Sequence, residues 1–472
     1  LIAGMIQPGG NFSQVFAGFE YRPEQEEMMV AVTQAFNHGD HILIEAGTGT
    51  GKSIGYLLPA AFWAVENGRR VVISTNTINL QDQLIHKDIP ELHKSLPFEL
   101  RAAVRKGRSN YLCTRLFQQL RRSGPSSADE MALFARILLW LPHTETGDVA
   151  EVPLRSLSER LAWSRLNGEN AVCTLDQCAA ERCPLHLARQ RAEQAHIVIV
   201  NHALLLSDVA NQNHVLPAFM DLIIDEAHHL EAAVTNGLSF RADKRFLETV
   251  LADISKPRSG LLADVQRRLG AVLPEHVISE LDEFAGRMRR EAQAAVIRLD
   301  EFFAAVDFFL RDHVQARSQF AQQIRLTPAA RIQPTYDEIE ISWENLNMHL
   351  KVLDKDFDKL AAVLADIGEH YEVEDEEEMR AALLTNGREL AEARENLDQI
   401  ISAPQDDMIY WVELYRDRVS LHAAPLYVGP LVEQHIFKEK ETVILTSATL
   451  RTADPSSYGE ADFNYLRERL HA

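Results

Sequence analysis

The stretch "HILIEAGTGTGKS", residues 41–53, decides how this chain is expected to fold. A short apolar run, His41 to Glu45, leads into a loop with glycine at every second position, and a helix-like apolar stretch follows. Glycines let successive backbone N–H groups curl around phosphate oxygens, and the N-terminus of the next helix adds its positive dipole. A glycine-rich turn that binds no nucleotide is the alternative, but the strand before the loop and the helix after it favour a phosphate-binding loop.

The residues of this loop predict binding of ATP and Mg²⁺. Lys52 would reach the β- and γ-phosphates, and the Ser53 hydroxyl would ligate Mg²⁺. Upstream, "YRPEQ" (residues 21–25) offers Arg22 and Gln25, and the Gln25 amide could pair with an adenine edge. An ordinary helix start with proline in its first turn explains the same segment without a nucleotide. The loop has alanine where the consensus has its first glycine, and its residues before the lysine are Ala46, Gly47, Thr48, Gly49, Thr50 and Gly51.

A second apolar run, "FMDLIIDEAHHLE" (residues 219–231), ends in an acidic pair, Asp225 and Glu226, followed by Ala227 and His228. Asp225 would hold Mg²⁺ through its hydration shell, while Glu226 would orient and deprotonate the attacking water. Taken alone, such a pair could be a solvated helix cap. Together with the loop upstream, it predicts a catalytic set of Lys52, Asp225, Glu226 and His228.

The wider pattern predicts an α/β fold with a parallel, doubly wound sheet. Short apolar runs at 69–77, 195–205 and 441–450 alternate with helical stretches, as expected for strands that are buried on both faces. Polar residues at the ends of these runs, such as Ser447 and Thr449, would line the crevice where such sheets bind ligands. Each of them could equally be a simple strand-end cap.

The cysteines form an unusual pattern, because three of the four lie five positions apart, at Cys173, Cys178 and Cys183, and the fourth is Cys113. On a regular helix this spacing spreads three side chains to roughly 0°, 140° and 280°. If they act together, the backbone therefore winds irregularly around what they bind. An iron–sulfur cluster and zinc both suit four thiolates, although tetrathiolate zinc sites usually carry tight C-x2-C pairs, which this sequence lacks. A site without metal is the third possibility.

The ordered segments YRPEQ, EAGTGTGKS, STNTINLQDQL, KGRSNYLC, IVNHALL, DEAH and TSAT resemble the iron–sulfur branch of superfamily 2 DNA helicases. This is the XPD/DinG family, and the bacterial DinG type is the closer match. The resemblance covers nearly the whole chain and is weakest between about 236 and 404. It implies an ATP-dependent DNA helicase of the bacterial cytoplasm that moves 5′-to-3′ on single-stranded DNA, acts on forked or overhang DNA, and serves repair or replication.

The resemblance also implies roles for particular residues. In the family, four cysteines hold a [4Fe–4S] cluster in a small domain before the DEAH box, which gives Cys113, Cys173, Cys178 and Cys183 as ligands. The TSAT segment, with Ser447, Ala448 and Thr449, would couple the nucleotide site to DNA.

A RecA-like P-loop motor domain with two insertions is the implied architecture. The implied segments are a linker at 1–20, motor parts at 21–103, 196–235 and 405–472, an iron–sulfur domain at 104–195 and a helical arch-like domain at 236–404. A structural helix bundle is the plain alternative to the arch. We find no Gln-x-x-Gly-Arg-x-x-Arg segment and expect a fragment that lacks a second motor domain and follows an exonuclease-like domain. A shortened, cluster-bearing DNA-binding module without motor activity is the alternative function.

Charge suggests where DNA would run. The net charge of −21 argues against polyanion binding by the whole surface, yet residues 101–122 hold seven basic residues and no acidic one. Arg105, Lys106 and Arg108 in this track are expected to contact DNA phosphates. Tyr111 could stack on an unpaired base or pack within the cysteine domain. No apolar run approaches the length of a membrane span.

Overall fold

The structure is a computed structural model, and its chain divides into two compact units. The first comprises Leu1–Gly237 and Tyr427–Ala472, and the second comprises Leu238–Leu426. Two residues of the expected sites, Thr48 and Cys173, lie outside the described residues. The described residues are 2–15, 20–47, 49–123, 125, 127–169, 178, 182–211, 213–257, 260–270, 272–313, 321–373, 376–415, 418–453 and 461–472.

The described ranges contain both strands and α-helices. The strands are β1 (His41–Glu45), β2 (Val71–Thr75), β3 (Ala102–Val104), β4 (Ile197–Asn201), β5 (Asp221–Asp225), β6 (Phe240–Asp243), β7 (Gln322–Arg325), β8 (Met408–Tyr415), β9 (Arg418–Pro425), β10 (Thr442–Ser447), β11 (Thr452–Ala453) and β12 (Ala461–Asp462). The α-helices are α1 (Ile2–Ile6), α2 (Asn11–Val15), α3 (Pro23–His38), α4 (Lys52–Asn67), α5 (Ile78–Gln83), α6 (Ile89–His93), α7 (Thr114–Ser123), α8 (Ala128–Trp140), α9 (Leu157–Leu166), α10 (Pro184–Gln194), α11 (His202–Ala210), α12 (Leu230–Gly237), α13 (Lys244–Ser255), α14 (Leu261–Leu269), α15 (Glu275–His313), α16 (Pro328–Arg331), α17 (Pro334–His370), α18 (Glu376–Ile401), α19 (Gly429–Val432) and α20 (Asn464–Leu470). Short π-helical turns occur at Leu84–Asp88 and Glu433–Phe437.

The first unit is built on a six-stranded sheet with the order β1-β10-β5-β2-β4-β3. Every neighbouring pair in it is parallel, which confirms the predicted α/β fold with a parallel sheet. β2, β5 and β10 are buried along their whole length, and this explains their continuous apolar runs. Because β10 lies between β1 and β5, the glycine-rich loop, Ser447 and the acidic pair all come to the same edge of the sheet.

One expected strand is shorter than its apolar run. The run 195–205 divides at Asn201, where β4 ends and α11 begins. The Asn201 side chain accepts a hydrogen bond from the backbone N–H of Leu204 at 2.9 Å, so it acts as the N-cap of the helix. His202 is thereby placed at the carboxyl edge of the sheet, beside the end of β2.

The cysteine-bearing part of the first unit has small cores of its own. Leu112 and Phe117 pack with α8 and α9 through Leu133, Ile137 and Leu166. A second cluster contains Tyr111, Cys183, Leu185 and Ala188, with Cys178 packed against it.

The second unit combines long helices with an antiparallel sheet. Its main core runs along α15, α17 and α18, and its sheet has the order β6-β9-β8-β7. Alternate residues of β8 and β9, Tyr410 and Val412 with Leu421 and Ala423, are buried in that core. The inward faces of these two strands therefore complete the core of the second unit.

No helix among the described ranges is both long and apolar enough to cross a bilayer.

Candidate functional site

The glycine-rich loop is curled by its own hydrogen bonds and by a contact to β10. The backbone N–H of Ala46 donates to Ser447 O at 3.0 Å, and Thr50 Oγ1 donates to Gly47 O at 2.9 Å. Gly49 and Gly51 have φ angles of +88° and +79°, in the region that glycine adopts without the penalty of a side chain. The loop therefore enters α4 with the tight curvature that a phosphate-binding loop needs.

Gln25 stabilises this loop from α3. Its side chain is buried, and Nε2 donates to Gly51 O at 2.9 Å. A Cβ atom at Gly51 would collide with Nε2 of Gln25. Arg22 lies at the surface, where it pairs with Glu20 at 3.2 Å. The adenine contact of Gln25 stays a prediction, and the structure adds a second role for its amide, which is to hold the loop.

Lys52 and Glu226 meet although they lie 174 positions apart in the sequence. Nζ of Lys52 lies 3.1 Å from Oε1 of Glu226, and their side chains are 14% and 25% exposed. Glu226 has a φ of +55°, a left-handed conformation that costs a non-glycine residue roughly 1–2 kcal/mol. Strain of this kind is typical of residues whose position matters for function.

Asp225 is buried at the end of β5 and is held at both carboxylate oxygens. Its Oδ1 accepts the backbone N–H of Glu226 at 3.0 Å, and its Oδ2 accepts the Tyr56 hydroxyl at 3.1 Å. Burial, with the neighbouring Glu226 carboxylate, raises the pKa of Asp225. A bound cation would offset both effects, so this carboxylate fits the expected Mg²⁺ site.

Asp88 adds a carboxylate to this region that the sequence analysis missed. It ends the π-helical turn Leu84–Asp88 and is 7% exposed. Burial raises its pKa, and hydrogen bonds from Gln83 and Ser53 oppose that shift. Ser53, the expected Mg²⁺ ligand of the loop, thus lies beside Asp88.

Ser447 joins the TSAT segment to the acidic pair and to His228. Its Oγ lies 2.6 Å from Nδ1 of His228 and donates to Oε2 of Glu226 at 3.4 Å. The backbone N–H of Thr449 donates to Oγ of Ser447 at 3.4 Å. Burial and the adjacent His229 lower the pKa of His228. The structure thus brings Lys52, Asp225, Glu226, His228 and Ser447 together, while Ala448 and Thr449 lie just beyond the end of β10.

His202 is a second residue that the sequence analysis missed. Its ring is buried, Nδ1 lies 2.8 Å from Oγ of Ser74, and the backbone of Glu226 is beside it. Burial lowers the pKa of His202 to about 4, so the ring is neutral near pH 7. The available signal was the polar pair Asn201-His202 at the end of an apolar strand, where parallel sheets place functional residues.

The cysteines of the described chain lie in one region. Cys113 and Cys183 are buried, and the backbone N–H of Cys183 donates to Cys178 O at 3.0 Å. Tyr111, two residues before Cys113, packs with Cys183 and Cys178. No group of three metal-ligating side chains is found in the described ranges, which leave out Cys173 and its neighbours. Thiolates are the ligands that iron–sulfur clusters use, but the three described thiols do not form such a group here.

Arg105 and Lys106 are buried, so their expected contacts with DNA phosphates are wrong, whereas Tyr111 packs within the cysteine domain, which is the alternative left open for it. Arg105, Lys106 and Tyr111 are 1%, 5% and 3% exposed. Nζ of Lys106 lies 2.7 Å from Oδ2 of Asp148 and 3.2 Å from Oδ1 of Asp82.

Contacts within the same segment explain the burial of the other two side chains. The Arg105 guanidinium lies 5.5 Å from the centre of the Tyr111 ring. The Tyr111 hydroxyl accepts the backbone N–H of Lys106 at 3.0 Å. Arg108 is exposed, and its contact with DNA stays a prediction.

Comparison with known proteins agrees with this arrangement. The family model for DEAD/DEAH box helicases matches residues 22–118, and the DEAD_2 model matches residues 170–247. The first match contains the glycine-rich loop, and the second contains the acidic pair and the three closely spaced cysteines.

Individual proteins extend the similarity. A protein named 3'-5' exonuclease DinG from Bacillus subtilis (strain 168) is 30% identical over 477 residues, covering 97% of this chain and 48% of that protein. ATP-dependent DNA helicase YoaA from Escherichia coli (strain K12) is 32% identical over 305 residues, covering 62% of this chain and 44% of that protein. A solved structure titled XPD_Helicase is 14% identical with a TM-score of 0.43, covering 96% of this chain and 61% of that chain.

The chain spans about half the length of the curated relatives that it matches. The chain is similar to DinG- and YoaA-like proteins, and parts of it match the DEAD/DEAH box and DEAD_2 helicase models.

Proposed function

We propose that this chain is the ATP-binding part of a DNA helicase that couples ATP hydrolysis to 5′-to-3′ movement on single-stranded DNA. Forked and overhang DNA are the proposed substrates, and DNA repair or replication is the proposed setting. The observation that carries the proposal is the contact of Lys52 with Glu226 at 3.1 Å, beside Asp225 at the carboxyl edge of a parallel sheet.

The ion pair suggests how ATP engages the catalytic base. The γ-phosphate would compete with Glu226 for the Lys52 ammonium, because both are anions within reach of one cation. When the Lys52 ammonium changes its partner from Glu226 to the phosphate, the Glu226 carboxylate becomes available to accept a proton from the attacking water. Binding of the substrate and activation of the base are thereby linked through one lysine.

Mg²⁺ would be held by Ser53 and Asp225, with Asp88 close to the Ser53 hydroxyl. When bound, Mg²⁺ neutralises charge that develops on the phosphate oxygens. Asp225 is suited to this task because two hydrogen bonds fix the direction of its carboxylate.

The TSAT segment would transmit the state of the nucleotide site. Ser447 Oγ contacts both His228 and Glu226, so a shift at the end of β10 changes the surroundings of the proposed base. This contact supports the coupling role proposed for Ser447, Ala448 and Thr449.

Cys113, Cys173, Cys178 and Cys183 are proposed to hold a [4Fe–4S] cluster. The packing of Cys178 and Cys183 around Tyr111 supports it, as does the thiolate chemistry of such clusters. Metal-binding energy is folding energy in small ligand-rich units, so the cluster would stabilise residues 104–195. The helical second unit would correspond to the arch-like insertion, with its end at Leu426 rather than near 404.

Substitution of Glu226 by Gln tests the proposal in the full-length protein. We expect ATP binding to persist and DNA-stimulated phosphate release to fall at least about 100-fold, since general-base catalysis contributes roughly 10²–10⁴-fold. Glu248→Gln is the matched control, because Glu248 is a half-exposed glutamate that pairs with Lys244 in the second unit. Normal turnover in Glu226→Gln would rule out this assignment of the base. Unwinding of 5′-overhang but not 3′-overhang duplexes tests the polarity.

A further inference from the structure

Tyr56 lies on α4, the helix that follows the glycine-rich loop, one turn after Ser53, and its side chain is completely buried. Residues three apart on a helix lie on the same face. The apolar stretch around it contains Leu57, Leu58 and Phe62, which pack in the core of the first unit. A phenylalanine would fill the same volume, so the hydroxyl of Tyr56 requires a separate explanation.

The Tyr56 hydroxyl has a specific acceptor. It donates to Oδ2 of Asp225 at 3.1 Å, while Oδ1 of the same carboxylate accepts the Glu226 N–H at 3.0 Å. A buried Tyr O–H usually finds a partner, and hydrogen bonds to a charged acceptor are stronger than neutral ones. Two donors at opposite oxygens fix the rotation of the Asp225 carboxyl group about its Cβ–Cγ bond.

The same helix turn therefore touches two separate acidic groups. Tyr56 holds Asp225 from β5, and Ser53 lies beside Asp88 from the π-helical turn. Because Ser53 and Tyr56 share one rigid helix, the distance between the Ser53 hydroxyl and the Asp225 carboxylate is set by the backbone of α4. These two groups are the proposed protein ligands of Mg²⁺, directly or through water.

We propose that Tyr56 is a positioning residue of the magnesium site, which aims the Asp225 carboxylate at the cation that Ser53 also binds. This inference rests on the proposed function, because the Mg²⁺–nucleotide site is part of it. A residue with this role touches neither the nucleotide nor the reacting atoms. Its effect should therefore appear in the metal dependence and not in the affinity for metal-free nucleotide.

Tyr56→Phe in the full-length protein tests the inference. Binding of a fluorescent ATP analogue is measured with EDTA and across a Mg²⁺ titration, and Mn²⁺ binding in the presence of nucleotide is measured by electron paramagnetic resonance. We expect the metal concentration for half-maximal binding to rise roughly tenfold, the loss expected for one hydrogen bond to a charged group. Affinity in EDTA should be unchanged.

Tyr336→Phe is the matched control. Tyr336 is also completely buried, and its hydroxyl donates to Ile401 O at 3.1 Å in the second unit. It should share any general loss of stability from removal of a buried hydroxyl, and it should leave the metal titration unchanged. A double variant tests whether the effect of Tyr56 passes through Asp225. In an Asp225→Asn background, Tyr56→Phe should cause no further change in Mn²⁺ binding.

The outcomes separate the two proposals. A wild-type protein that binds no ATP analogue would contradict the proposed function itself. A wild-type protein that binds it, with an identical metal titration in Tyr56→Phe, would overturn the inference and leave Tyr56 as a core residue. A further weakening of Mn²⁺ binding by Tyr56→Phe in the Asp225→Asn background would also overturn it, because the effect would then not pass through Asp225.

Discussion

Lys106 offers the sharpest test of the structure against the charge pattern of the sequence. Replacement by Met keeps the length of the side chain and removes its charge, leaving Asp148 and Asp82 without their cation. The side chain of Asp148 is 10% exposed, whereas that of Asp82 is 39% exposed and can be hydrated. Breaking a buried pair by removing one partner costs about 3–5 kcal/mol, and the partial hydration of Asp82 favours the lower end.

A loss of about 3 kcal/mol should lower the melting temperature of the first unit by roughly 5–10 °C. The pKa of Lys106 is raised, because burial, which lowers it, is outweighed by Asp148 and Asp82. A raised pKa means that the stabilisation is complete below the unfolded-state value of about 10.4 and is lost as the pH rises through the folded-state value. The difference between wild type and Lys106→Met should therefore be constant between about pH 6 and pH 9.

The assay pairs thermal unfolding with single-strand binding across a salt series. Arg108→Ala is the control, since Arg108 is an exposed cation of the same track and surface changes usually alter stability by less than about 0.5 kcal/mol. We expect Arg108→Ala to reduce the slope of log affinity against log salt by about 0.7, and Lys106→Met to leave it unchanged where the protein is folded. The reasoning would be refuted by a Lys106→Met protein that melts at the wild-type temperature and whose slope of log affinity against log salt falls by about 0.7.

Three further predictions concern the loop and the cysteines. Lys52→Ala should reduce DNA-stimulated phosphate release at least about 100-fold while single-strand binding persists; near-normal release would exclude the assigned loop. Gly51→Ala should weaken ATP binding and lower the melting temperature more than Gly68→Ala does, because both glycines have a positive φ but only a Cβ at 51 meets Gln25; equal melting temperatures would contradict the clash. Cys178→Ser, purified without oxygen, should lose the brown colour and iron of the wild type and become protease-sensitive within 104–195 while still binding ATP; stoichiometric zinc without iron in the wild type would contradict the cluster.

The fold was predictable where the signal is local. Apolar runs predicted β5 and β10, strands of five and six residues, closely, because strands buried on both faces need no alternation. The order of the strands was not predictable from these runs. β10 lies between β1 and β5, although His41 of β1 and Val443 of β10 are 402 positions apart, and no local pattern records such a pairing.

The candidate site was likewise predictable only in part. Lys52 and Glu226 were expected to cooperate because their chemistry requires it, and they meet. Tyr56, Asp88 and His202 were missed, since in the sequence they look like a core aromatic, a helix acid and a strand-end residue. Each has its role only through a partner from another element. Tertiary contacts of this kind produce no periodic pattern in the sequence.

The expected DNA contacts of Arg105 and Lys106 failed for a related physical reason. A count of charges along residues 101–122 treats every cation as available, but Asp82 and Asp148 lie outside that window and neutralise Lys106 from both sides. Burying a charge is tolerated only with such partners. A basic run is therefore evidence for a nucleic-acid surface only once its counter-charges are known.

The strand order explains how one serine contacts both the glycine-rich loop and the acidic motif. Ser447 ends β10, and β10 is hydrogen-bonded to β1 on one side and β5 on the other. Ser447 O therefore accepts the N–H of Ala46 in the loop, while its Oγ contacts Glu226 and His228. Movement of the segment after β10 would therefore reach both the loop and the proposed base through a single residue that is bonded to both. The proposed coupling between the TSAT segment and ATP hydrolysis would need no pathway longer than that one serine.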